Sequence, residues 1–131
     1  MTECIVAIKT DQPEAEIHIM CDGVTHSYTW TAHRQLAQQL LAALADQLKK
    51  AGCSITDITG LIFYKGPGSF TGLRIGASVV NALAYDKKLP ISSQTGDSWI
   101  EAGQKALMAG RSEKLATLEY GGQIHITSPK K

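Results

Sequence analysis

Between Leu61 and Tyr85 the chain runs from a short apolar stretch, LIFY, through Gly66-Pro67-Gly68-Ser69 into a segment that carries a single charge, at Arg74. Four apolar residues ended by a glycine-proline turn read as a buried strand. Ser69 is a natural helix N-cap, its hydroxyl placed to accept a first-turn N–H. From Phe70 to Tyr85 the polar residues are Thr71, Arg74, Ser78, Asn81 and Tyr85, in steps of three, four, three and four, which puts them on one narrow helical stripe. Gly72 and Gly76 lie off that stripe, one turn apart, and offer a flat place where another backbone can come close. Every other position is apolar. A helix apolar over most of its circumference expects cover over most of its circumference, and a sheet supplies it on one side only. Two accounts of the other side stay open: helices of the same chain, or a second protein with Arg74 in a polar seam. The pattern favours the second, because a contiguous exposed apolar patch usually marks a protein–protein site.

The remaining elements follow from period and punctuation. Residues 4–8 (CIVAI) read as a strand buried on both faces. Ala15–Met20 alternates, with Glu16 and His18 on one side and Ile17 and Ile19 on the other; Asp22-Gly23 is a hairpin turn, and Val24–Trp30 is β-branched and aromatic. Leu36, Leu40, Leu44 and Leu48 recur every four residues, with Lys49 and Lys50 suited to the last turn and Gly52 to the end of the helix. Pro90 closes the Phe70 helix, Ile91-Ser92-Ser93 is a brief strand, and Asp97 or Ser98 caps a third helix reaching about Ala109. The order β-β-β-α-β-α-β-α is that of one lobe of the actin-like, sugar-kinase-like ATPase fold, an α/β architecture that normally uses two lobes. A small ferredoxin-like sandwich is the alternative. Residues 1–110 form the expected lobe and 111–131 a short tail with a basic end at Lys130 and Lys131, so the second lobe is expected to be missing.

Charge and cysteine usage narrow the function classes. Thirteen basic residues against twelve acidic ones give a net charge of +1, no platform for direct nucleic-acid binding. Cys4, Cys21 and Cys53 form neither an even set nor a CxxC pair, which reads as free thiols in a reducing, cytoplasmic setting. No basic leader precedes the first apolar run and no stretch of about 18 apolar residues occurs, so neither secretion nor membrane insertion is expected. His18, His26, His33 and His125 lack HxxxH or HxxE spacing, and no metal site is expected. No His and acid are arranged around Ser69 or Thr71 as a nucleophile would need, so no catalytic residue is assigned.

The loop at 66–72 invites a second reading. Amides at a helix N-terminus can hold phosphate, and Lys9 and Lys65 both fall at the carboxyl ends of strands, where open α/β sheets bind ligands. Lys9, Lys65, Gly66, Gly68 and Ser69 are therefore the candidate anion loop of a small nucleotide- or phosphate-binding enzyme. The spacing fits neither G-x-x-x-x-G-K-[ST] nor G-x-G-x-x-G, since Thr71 stands where the last glycine of the second motif belongs. A structural loop and two surface lysines are the plainer reading.

The string GPGSFTGLRIG at Gly66–Gly76, followed by Ala84-Tyr85 and Leu89-Pro90-Ile91, closely resembles the TsaB (YeaZ-like) family of tRNA threonylcarbamoyladenosine biosynthesis proteins. Weaker similarity runs from about residue 3 to about residue 110. The resemblance implies a noncatalytic subunit that shares the fold of the catalytic TsaD subunit without its metal-binding histidines. It implies docking on a TsaD-like subunit through first-lobe helices, self-association through the same surface, work with a TsaE-like ATPase, and only indirect contact with the ANN-reading tRNA. Leu36, Leu40, Phe70, Gly72, Leu73, Arg74, Gly76, Ala77, Asn81 and Tyr85 are the expected partner-interface residues, and no cofactor is expected. The family's first strand usually runs into Asp-Thr-Ser, where this chain has Lys9-Thr10-Asp11; lysine cannot ligate magnesium, which argues against nucleotide hydrolysis. A homodimeric scaffold outside tRNA modification remains a third reading.

Overall fold

A computed structural model describes residues 3–32 and 35–118. The expectations placed on His33, His125 and the basic end lie outside the described residues. Five strands form one sheet: β1 (Cys4–Lys9), β2 (Glu14–Cys21), β3 (Val24–Thr31), β4 (Gly60–Tyr64) and β5 (Ile91–Gln94). Their order is β3-β2-β1-β4-β5, with β1, β4 and β5 parallel and the β1-β2-β3 meander antiparallel. Helices α1 (Leu36–Lys50), α2 (Phe70–Lys87) and α3 (Trp99–Met108) complete the lobe.

Side-chain alternation divides the core. On β1, Cys4, Val6 and Ile8 join Ile17, Ile19, Leu61 and Phe63 under α1 and α2, where Leu40, Leu44, Leu48, Leu73 and Val80 close the layer. Ile5, Ala7 and Ile62 face the other way and meet Trp99 of α3. This two-sided burial explains the unbroken apolar run at residues 4–8: a central strand with helices on both faces has no solvent side to mark with polar residues. β2 alternates as its sequence implies, with Ile17 and Ile19 buried and Glu16 and His18 on the α3 side, where His18 bonds Glu16 and Ser27 and lies edge-on to Trp99. At the sheet edge β3 is largely exposed on both faces, with Tyr28 stacked on Trp30 at 5.4 Å between ring centroids.

The helix ends differ slightly from the sequence reading. α2 runs two residues past Tyr85 and stops where Lys88 turns left-handed at φ 54°. Ser98 takes the N-cap position of α3 without a side-chain hydrogen bond. Of the stretch 111–131, residues 111–118 lie along the β5 edge. Glu113 and Ile91 exchange backbone hydrogen bonds of 2.7 and 3.1 Å, the Glu113 carboxylate accepts from Ser93 Oγ at 2.8 Å, and Thr117 N donates back to that hydroxyl at 3.0 Å.

Candidate functional site

Helix α2 begins as the sequence implies, Gly72 N donating to Ser69 Oγ at 3.3 Å. Its polar stripe points outward: Thr71, Arg74, Ser78 and Tyr85 are exposed and Asn81 is half-buried. Tyr85 is 86% exposed and Phe70 49%, large values for aromatic side chains, and the Arg74 guanidinium lies 5.2 Å from the Phe70 ring centre. Beside them α1 leaves Leu41 47% exposed. A shallow groove of about 430 Å³ runs between the two helices, lined by Ala37, Phe70, Arg74, Ile75, Ser78 and Val79. The outward side of the α1–α2 pair is thus a mixed aromatic, aliphatic and cationic surface, with an arginine already stacked on a ring. Arginine and aromatic residues are the types enriched at binding hot spots.

The ten residues expected at a partner interface divide on this geometry. Phe70, Arg74 and Tyr85 are accessible. Leu36, Leu40, Leu73 and Ala77 are buried among the sheet and the helices of the same chain, which leaves them nothing to offer a partner directly. Asn81 is committed internally, its Oδ1 accepting from Ala116 N at 2.7 Å. The glycines require a correction. A methyl built on Gly72 would overlap the Thr10 carbonyl oxygen, and one built on Gly76 would overlap Thr10 Oγ1 and come within 3.0 Å of the Phe63 ring. The backbone that approaches α2 closely is therefore this chain's own β1–β2 connection, locked by a 2.7 Å hydrogen bond from Thr10 Oγ1 to Gly72 O. Most of the apolar surface of α2 is likewise covered from within, and only its outward stripe and ends are left open.

The five residues of the candidate anion loop do meet at one end of the sheet, but Thr10 and Asp11 fill the space among them. Ser69 N donates to Asp11 O at 2.8 Å, and a methyl on Gly68 would overlap Asp11 Cβ. Lys9 Nζ sits 2.6 Å from Asp11 Oδ1 and 4.5 Å from the Tyr64 ring centre, so its charge is already matched. Lys65 N and Gly66 O are bonded to Gln94 O and Thr95 Oγ1. Packed this way, with the Asp11 carbonyl accepting from Ser69 N, the loop ties β4 and α2 to the β1–β2 connection.

The structure also brings together residues that sequence spacing separates. Cys4 at the start of β1, Cys21 at the end of β2 and Cys53 after α1 have sulfurs all within 4.8 Å of one another, with Cys21 Sγ and Cys53 Sγ at 3.4 Å. Burial pushes the Cys4 thiol far up from its ordinary value. The Cys53 thiol is also raised, first by its hydrogen bond with Cys21 and then by burial. The three-cysteine grouping is the one set of potential ligands among the described residues that converges in this way. Among the described residues no helix is long and apolar enough to cross a membrane.

A five-stranded sheet of this order, with two helices on one face and one on the other, is one lobe of the actin-like class. The family model for TsaD, tRNA N6-adenosine threonylcarbamoyltransferase, matches residues 15–93. A protein of Escherichia coli strain K12 named tRNA threonylcarbamoyladenosine biosynthesis protein TsaB is 36% identical over 122 residues, covering 88% of this chain and 53% of that relative. A tRNA N6-adenosine threonylcarbamoyltransferase of Geotalea uraniireducens is 31% identical over 98 residues, covering 72% of this chain and 28% of its own length. Among solved structures, YeaZ from Pseudomonas aeruginosa superposes with a TM-score of 0.69 at 29% identity, over 82% of this chain and 50% of that one. The chain belongs to this family, as a TsaB (YeaZ-like) member. It spans about half the length of the E. coli relative it matches.

Proposed function

We propose that this chain is a noncatalytic partner subunit in the biosynthesis of N6-threonylcarbamoyladenosine in ANN-reading tRNAs, docking on a TsaD-type catalytic subunit. The observation that carries this reading is the outward α1–α2 surface: Phe70, Arg74, Tyr85 and Leu41 stay accessible while the inward side of α2 is covered by the lobe itself. Noncatalytic status is supported by the carboxyl end of β1, where the carboxylate of Asp11 is tied to Lys9. A TsaE-type ATPase and a second copy of this chain would join the same assembly, with tRNA contacted mainly through the catalytic subunit. The relatives' names support the pathway, and the balanced charge of the chain agrees with an indirect role at tRNA.

The test is genetic and chemical together. Depleting the protein should lower threonylcarbamoyladenosine in bulk tRNA, measured by mass spectrometry of nucleosides. Wild type should restore it and Arg74→Glu should not, although that variant folds. Unchanged modification on depletion would remove the chain from the pathway. Full rescue by Arg74→Glu would remove the docking surface.

A further inference from the structure

The α1–α2 surface does not use the other end of the sheet. There Cys4 and Cys21 are directly opposed across the β1–β2 ladder, and Cys53 closes over them from the turn after α1. A metal bonded to three sulfurs at about 2.3 Å spaces them about 3.8–4.0 Å apart, and the three sulfurs here already lie within 4.8 Å of one another. We propose that Cys4, Cys21 and Cys53 form a three-thiolate site for one soft metal ion, with copper(I) the ion its coordination number suits.

Three features support it. The donors are all sulfur, and among the described residues no histidine or carboxylate joins them; thiolate sets select copper(I) and zinc over hard cations. Structural zinc takes four protein ligands, whereas three donors without a fourth favour an ion content with three. The backbone holds the donors in place. Thr59 N donates to Cys4 O at 2.8 Å while Cys4 N donates to Thr59 Oγ1 at 3.0 Å, and Cys53 N donates to Leu48 O at 2.8 Å. Cys4 and Cys21 are buried and Cys53 is half-buried, so an ion would reach the sulfurs from the Cys53 side. Binding breaks three S–H bonds, releases the three protons to the buffer and forms three S–Cu bonds, with copper and sulfur unchanged in oxidation state.

The test titrates the full, reduced chain under anaerobic conditions with copper(I) held by a colorimetric chelator, and in a second arm with zinc chloride against a zinc indicator. One copper per chain should leave the chelator, with three sulfur neighbours in X-ray absorption. Cys53→Ser should lower copper affinity at least tenfold. Because Cys4 and Cys21 belong to the core, their serine variants are scored only after circular dichroism shows the wild-type fold; Cys53→Ser, at a half-exposed position, keeps the test decisive if they fail. Equal copper uptake by wild type and Cys53→Ser overturns the proposal, as does failure of wild type to take copper at equimolar chelator. Zinc bound more tightly than copper overturns the choice of copper.

Discussion

The inward and outward sides of α2 differ in what a small change of side chain would do. Inward, Gly72 and Gly76 lie so close to Thr10 that a single methyl overlaps it, and Leu73, Val80 and Ala84 fill the layer above β1 and β4. Outward, Arg74, Ser78 and Tyr85 are exposed and Phe70 is half-exposed beneath the Arg74 guanidinium, so replacements there are expected to disturb the lobe less. One helix thus carries two kinds of constraint, packing on one side and recognition on the other. Glycines in a sequence suggest close approach without saying whose backbone approaches. Here the answer is internal.

The comparison breaks most sharply at the glycines. Gly76→Leu should cost more than about 3 kcal/mol, since overpacking a tight contact forces the neighbouring backbone to move. Urea unfolding measures it, and a variant as stable as wild type would put Gly76 on the outer side. Leu40→Ala and Leu73→Ala, both fully buried, should each lose about 2–5 kcal/mol in the same assay. Asn81→Ala removes the acceptor for Ala116 N and should cost about 1 kcal/mol, with faster amide exchange confined to residues near 116. Arg74→Glu should change stability by no more than about 0.5 kcal/mol, as surface substitutions do. A larger loss would mean that the stripe serves the lobe's own packing.

Much of this architecture was legible in the sequence. The meander, the leucine period of α1 and the Ser69 cap each follow from local patterns with one physical reading, and the stripe on α2 faces outward as its spacing implies. What local pattern does not contain is the identity of a contact distant in the chain. Thr10 meets α2 across more than sixty residues, and nothing at Thr10 announces it. The cysteine grouping is hidden for the same reason: Cys4, Cys21 and Cys53 converge only once β1 pairs with β2 and α1 returns its end over them. The Asp22-Gly23 turn sets β2 against β3, whereas the pairing of Cys4 with Cys21 depends on the longer 10–13 connection, which no short turn signal marks in the sequence. Lys9 reads in the sequence, with Lys65, as a surface lysine or an anion-loop cation at a strand end, and its pairing with Asp11 two residues on becomes visible only when the turn brings the carboxylate back.

The claim that the outward side of α2 is a docking surface is tested most directly by calorimetry. Wild type and the double variant Arg74→Glu/Tyr85→Ser are titrated into the TsaD-type subunit, with thermal melts of both chains as the control. The account predicts matching melts and a loss of affinity of at least tenfold in the double variant. Equal affinity with equal melts would contradict it.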